Sequence, residues 1–205
     1  PEQCVYAISV SHPDKVYRDR TVDFFNQHIE AAVQLDCDHM VVSTGFAYLD
    51  VDAEDAFGWC AEAMGRIARK AEQEGVTLAV EPFTKYTTHI CNEASQLRRL
   101  LRTVNSPRLT GLADTDVIAT TAVDTFSTFL DVIGPENLGH VHFVDGNPGG
   151  HLVPGDGVLD LDGALEKLKA IHYTGALGLE VLDRRYVFAP EAAMKQAMDW
   201  YKERI

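Results

Sequence analysis

Four residues able to bind a cation stand at the same kind of place in the chain. Glu81 follows the apolar run Val76–Val80, and Asp114 follows Leu109–Ala113. His142 follows Leu138–Val141, and Glu180 follows Gly175–Leu179. Three carboxylates and one imidazole make a ligand set for one divalent cation. The oxygens suit Mn²⁺ or Mg²⁺, and the single nitrogen pulls the preference toward Mn²⁺, Co²⁺ or Zn²⁺. Carboxylates gathered at one point repel each other unless a cation lies between them. Each residue alone has an ordinary reading, since an acidic residue after a strand often caps the next helix. Asp114 fits that reading, with Asp116 and Thr120 available to share the role. Glu81 does not, because Pro82 follows it and the next helix starts only near Asn92. Four coincidences at equivalent positions favour the metal site.

The elements that must position these residues alternate. Short apolar runs of strand type occur at 39–43, 76–80, 109–113, 138–141 and 175–179, as expected for strands buried on both faces of a parallel sheet. Residues 4–10 predict the end of a further strand. Between the runs lie stretches of helical period. Val22, Phe25, Ile29 and Ala32 form one stripe, and Phe57 to Ala71 form a second that Gly75 closes. Leu97, Leu100 and Leu101 mark a third helix. Residues 119–133 predict a fourth, 163–170 a fifth capped by Asp162, and 189–204 a sixth with Pro190 in its first turn. This β-α order reads as one domain, residues 1–205, built on a parallel sheet or barrel. In such folds sites form at the carboxyl ends of the strands, where the four residues stand. A complete (β/α)8 barrel takes ~250 residues. The 205 residues leave either an open sheet or a barrel without its first strands. No GxGxxG or GxxxxGK loop supports a nucleotide-binding open sheet.

His140 and His142 alternate along one strand and so share a face. The one nearer the carboxyl end, His142, is expected at the metal, with His140 one layer deeper. A long Gly/Pro-rich loop follows (143–157), and its His151 is placed to reach substrate. His12, His28, His39, His89 and His172 have no such context.

Composition bounds the function. With 18 Lys+Arg against 31 Asp+Glu the formal charge is −13, which disfavours nucleic acid and anionic lipid. No apolar run approaches the ~20 residues of a membrane helix. Four dispersed cysteines without a CxxC pair and no visible signal peptide predict a cytoplasmic protein. The first residue is Pro1, so the chain is expected to be processed or to begin inside a longer one.

The ordered motifs Leu78-Ala79-Val80-Glu81-Pro82, Leu112-Ala113-Asp114-Thr115, Gly139-His140-Val141-His142, Pro154-Gly155-Asp156-Gly157 and Leu179-Glu180 resemble the xylose isomerase-like TIM barrels, the sugar phosphate isomerase/epimerase family. Within it the likeness is closest to fructoselysine 3-epimerase and the D-tagatose 3-epimerase-like ketose 3-epimerases. The resemblance implies a (β/α)8 barrel lacking its first two or three strands, roughly 70 N-terminal residues. It implies a Mn²⁺-type site of Glu81, Asp114, His142 and Glu180, with Glu81 and Glu180 doubling as acid and base. His151 stands three residues before Pro154, where ketose epimerases usually place an Arg that binds substrate oxygens. His140 and Asp145 are assigned with it to substrate binding. Two family positions differ here: a Glu six residues after the first is Thr87, and a His three residues after the Asp is Val117.

The chemistry expected is proton abstraction next to a ketose carbonyl, through a metal-stabilised enediolate. One glutamate removes the proton and the other returns it to the opposite face. Three rivals share the features. One is an inosose dehydratase or hydroxypyruvate isomerase-like enzyme. Another is an endonuclease IV-like phosphodiesterase with several zinc ions, in which His151 and Asp145 would begin a second cluster. The third is a truncated, non-catalytic barrel. Exposed sheet edges also predict a homodimer.

Overall fold

The computed structural model describes residues 8–46 and 50–204. Five strands form one parallel sheet in sequence order: β1 (His39–Ser43), β2 (Thr77–Glu81), β3 (Leu109–Asp114), β4 (Leu138–His142) and β5 (Leu177–Gly178). Helices α1 (Lys15–Gln34), α2 (Ala53–Glu74) and α3 (Ala94–Val104) precede β1, β2 and β3 in turn. Between β3 and β4 lie α4 (Thr115–Thr121) and α5 (Phe126–Ile133). The helix α6 (Leu161–Ala170) precedes β5, and α7 (Pro190–Lys202) follows it. This is a five-stranded part of a (β/α)8 barrel with its helices outside.

Local sequence explains the elements. In α2, Asp52 caps the first turn by accepting the N–H groups of Glu54 and Asp55, and Gly75 ends the helix in the left-handed conformation at φ 77°. Its buried face carries Phe57, Cys60, Met64, Ile67, Ala68 and Ala71, as the periodicity predicts. Met64 and Ile67 are fully buried, a contribution of about 2 kcal/mol each. The interior strands are apolar on both faces: Leu78, Val80, Leu112 and Val141 are all inaccessible.

Several boundaries differ from expectation. The predicted helix 119–133 is two helices, because Asp114 starts α4 directly after β3 and Ala122 ends it in the left-handed region at φ 56°. Thr125 then caps α5. The fifth helix is capped by Asp160 rather than Asp162, its side chain accepting the N–H of Gly163. The run 175–179 yields only a two-residue strand. It pairs on one side, Val141 with Leu177 and His142 with Gly178, and the ring of Tyr173 packs against Gly175. The strand predicted over 4–10 lies mostly outside the described residues, and residues 8–10 are bend and turn.

One irregularity sets the site. The β3–β4 register shifts at Gly111/Leu112, so Gly111 pairs with Leu138 but Leu112 pairs with His140. The residue passed over is Gly139. A Cβ there would stand 1.9 Å from Thr110 Oγ1, so only glycine fits. Beyond the shift Asp114 lies level with His142. Without it, Asp114 would face Val141, and a one-residue slip inverts which side chains share a face.

Candidate metal centre

The last residues of β2, β3 and β4 are Glu81, Asp114 and His142, and Glu180 stands two residues past β5. One ligand atom from each of the four lies within 4.8 Å of all the others. His142 sits at the centre. Its Nδ1 is 2.9 Å from Glu81 Oε1, 3.3 Å from Glu180 Oε2 and 3.5 Å from Asp114 Oδ2. The ring of His140 is one layer deeper, 5.3 Å away and perpendicular.

Asp114 unites the ordinary reading and the metal reading. Its Oδ1 accepts the N–H groups of Asp116 and Val117, which caps α4. Its Oδ2 is buried and has no hydrogen-bond partner. A buried carboxylate oxygen with no hydrogen bond, aimed into a cluster of ligand atoms, fits a cation site, since burying a carboxylate is costly unless a positive group faces it. The donor set of three oxygens and one nitrogen fits Mn²⁺, Co²⁺ or Zn²⁺.

The electrostatics follow from the crowding. Burial raises the pKa of Glu81, the Asp114 and Glu180 carboxylates add to this, and His142 partly offsets it. Burial would also raise Asp114, but the neighbouring imidazoles of His142 and His151 hold it down at about 2. Burial would lower His142, yet the carboxylates of Asp114, Glu180 and Glu81 push it well above an ordinary imidazole. His140, with no carboxylate partner among these causes, is lowered by burial and by the neighbouring His142.

The loop after β4 is a built structure. Asp145 and Leu152 exchange both backbone hydrogen bonds, at 2.9 and 2.7 Å. Asp145 itself is 3% exposed. Its Oδ1 accepts the N–H groups of Gly146 and Leu159, and its Oδ2 accepts that of Gly155. Both oxygens thus help to hold the loop. Asp145 is not part of the four-residue ligand group found among the described residues. His151, by contrast, is brought to the site, with Nε2 3.3 Å from Asp114 Oδ2 and 3.5 Å from Glu180 Oε2.

Two functional neighbours escaped the sequence reading. Asp116, there only a capping partner, lies 3.0 Å from His151 Nδ1. Thr115 Oγ1 donates to the Val144 carbonyl at 2.6 Å and accepts the Val144 N–H at 3.0 Å, which pins the exit of β4. The signal available was the triplet Asp114-Thr115-Asp116 directly after a strand. Val117, where the family often has His, is buried in α4, and Thr87 meets Thr84 through their hydroxyls at 3.2 Å.

Comparison with known proteins agrees with this architecture. Fructoselysine 3-epimerase of Shigella flexneri is 26% identical over 204 residues, which covers 98% of this chain and 73% of that protein. Among solved structures, 3-keto-D-glucoside 4-epimerase from E. coli superimposes with a TM-score of 0.85 at 19% identity, over 95% of this chain and 75% of that one. D-psicose 3-epimerase from Clostridium cellulolyticum H10, solved with D-tagatose, gives 0.84 at 18% identity, over 98% and 75%. Residues 3–204 match the family described as xylose isomerase-like TIM barrel. The chain belongs to the xylose isomerase-like TIM barrel family.

Proposed function

We propose that this chain is a divalent-metal-dependent isomerase that inverts the carbon beside the carbonyl of a ketose or ketosamine, a 3-epimerase of fructoselysine-like or simple ketose substrates. The observation that carries the reading is the four-atom group with glutamates at both ends of it. Glu81 comes from β2 and Glu180 from beyond β5, with two strands between them. Relatives named as 3-epimerases support the same substrate class.

Glu81, Asp114, His142 and Glu180 would hold the cation, with Mn²⁺ the ion proposed. When bound, the cation polarises the substrate carbonyl and stabilises negative charge developing on its oxygen. Asp114 stays ionised and fixed by its bonds to α4, so it acts only as a ligand. Burial raises Glu81 and so eases its protonation, which suits a group that must both take and release a proton. Its side chain is 12% exposed, against 38% for Glu180. One removes the C3 proton and the other delivers a proton to the opposite face. His151 lines the mouth of the same space and binds a substrate oxygen. Sugar-sized ligand, Mn²⁺ and a homodimer formed through the open sheet edges complete the proposal.

The test is proton exchange. Mn²⁺-loaded protein in D₂O is incubated with D-fructose, D-tagatose and fructoselysine, and the C3 proton is followed by NMR. Loss of that signal together with a new C3 epimer is expected for at least one sugar. Retention of the C3 proton in all of them, with metal bound, overturns the reading. One ligand group of four among the described residues favours a single-cation isomerase over a phosphodiesterase with several zinc ions.

A further inference from the structure

Asp116 is 1% exposed beside the site but is not one of its four ligands. Its carboxylate serves the loop that carries His151. Oδ1 accepts the N–H of Gly149 at 2.5 Å, and Oδ2 accepts the N–H of His151 at 3.0 Å. The same Oδ2 lies 3.0 Å from the imidazole Nδ1 of His151. The loop is shaped around this carboxylate: a Cβ on Gly146 would stand 1.9 Å from Asp116 Oδ1. His151 is held at φ 46°, in the left-handed region that a residue with a Cβ rarely adopts. Such a conformation persists only where the surroundings over-determine it, and strain of this kind clusters at ligand clamps.

A carboxylate only accepts, so Asp116 favours a proton on the Nδ1 that faces it and leaves Nε2 turned to the site. That atom approaches Asp114 Oδ2 and Glu180 Oε2 but is not part of the four-atom group, so His151 stands beside the cation position and not on it. We propose that Asp116 is a positioning residue for specificity: it clamps His151 by side chain and backbone together, so that Nε2 meets a hydroxyl of the ketose beyond the oxygens at the cation. The proposal rests on the epimerase reading for its substrate.

The test separates clamping of the imidazole from plain support of the loop. Asp116→Asn keeps the shape and one backbone acceptor but gives up the anionic hold on Nδ1. In Mn²⁺-loaded protein with the ketose that exchanges fastest, Asp116→Asn raises KM about tenfold or more and leaves kcat within about threefold. Mn²⁺ affinity by calorimetry stays within about twofold, since no ligand is changed. His151→Gln gives the same pattern, and the double variant is no worse than His151→Gln alone. Multiplying effects in the double variant would overturn the proposal, as would a fall in Mn²⁺ affinity that accounts for the KM change. A second readout needs no turnover. In Mg²⁺-loaded, ¹⁵N-histidine-labelled protein, a slowly exchanging Nδ1–H resonance is expected that disappears in both His151→Gln and Asp116→Asn. Its persistence in Asp116→Asn overturns the clamp. A wild type that exchanges no ketose but shows this resonance defeats the epimerase reading and leaves the clamp standing.

Discussion

The centre of the sheet and its β5 edge hold the same site by different means. Glu81, Asp114 and His142 end strands that are paired along most of their length, with β3 and β4 each flanked on both sides. Their positions are set by the hydrogen-bond ladder and by one register shift. Glu180 follows a strand of two residues with a neighbour on one side only. Its place is set by loop contacts: Phe143 N–H donates to the Gly178 carbonyl at 2.8 Å, and Leu182 N–H donates to the His151 carbonyl at 3.1 Å. Three of the proposed ligands are thus preorganised by the sheet, whereas the fourth is hung from the same loop that carries His151. The rigid part suits cation binding. The looser part suits substrate entry and the proton transfer that needs an accessible carboxylate.

This contrast can be broken or sharpened by substitution. The largest effect expected is chemical and indifferent to region: Glu81→Gln and Glu180→Gln each lower C3 exchange by about 10³-fold, read by deuterium incorporation. Metal affinity then separates the regions. His142→Ala weakens Mn²⁺ binding by at least about 10²-fold, whereas Glu180→Gln weakens it by about tenfold, both measured by calorimetry. Equal losses would mean that the edge ligand is as preorganised as the central one. Gly139→Ala forces a Cβ into Thr110 at the register shift. A stability loss of about 1–3 kcal/mol by urea unfolding is expected, with weaker Mn²⁺ binding because Asp114 and His142 lose their alignment. An unchanged affinity in a folded Gly139→Ala protein would remove the register shift from the account. Smallest is His28→Ala, an exposed side chain whose Nδ1 meets the Phe24 carbonyl on α1. Mn²⁺ affinity there stays within about twofold.

Legibility in the sequence divides along the same line. The β-α order, the α2 stripe with its Gly75 stop, and the residues at four strand ends were readable because period and position carry them. The matching levels of Asp114 and His142 were not, because Gly139 reads as one more small residue in a strand until Thr110 is seen against it. The short β5 was overcalled for the opposite reason. Its residues have strand character, but an edge with one partner gives them few bonds to make. The part Asp145 plays in holding the loop is not legible in the sequence, because its three backbone donors come from positions as far apart as Gly146 and Leu159. Asp116 was visible only as a cap, since its contact with His151 spans 35 residues. Local pattern locates ligands on strands, and it does not show which loop carboxylates are spent on holding the loop.

Glu81, Asp114, His142 and Glu180 are proposed to close around one cation. The direct measurement is metal per chain by elemental mass spectrometry, after stripping, loading with Mn²⁺ and desalting, for the wild type and His142→Ala side by side. The account predicts about one Mn per wild-type chain and a large loss in His142→Ala. No bound metal in the wild type, or equal loading of both proteins, would contradict it.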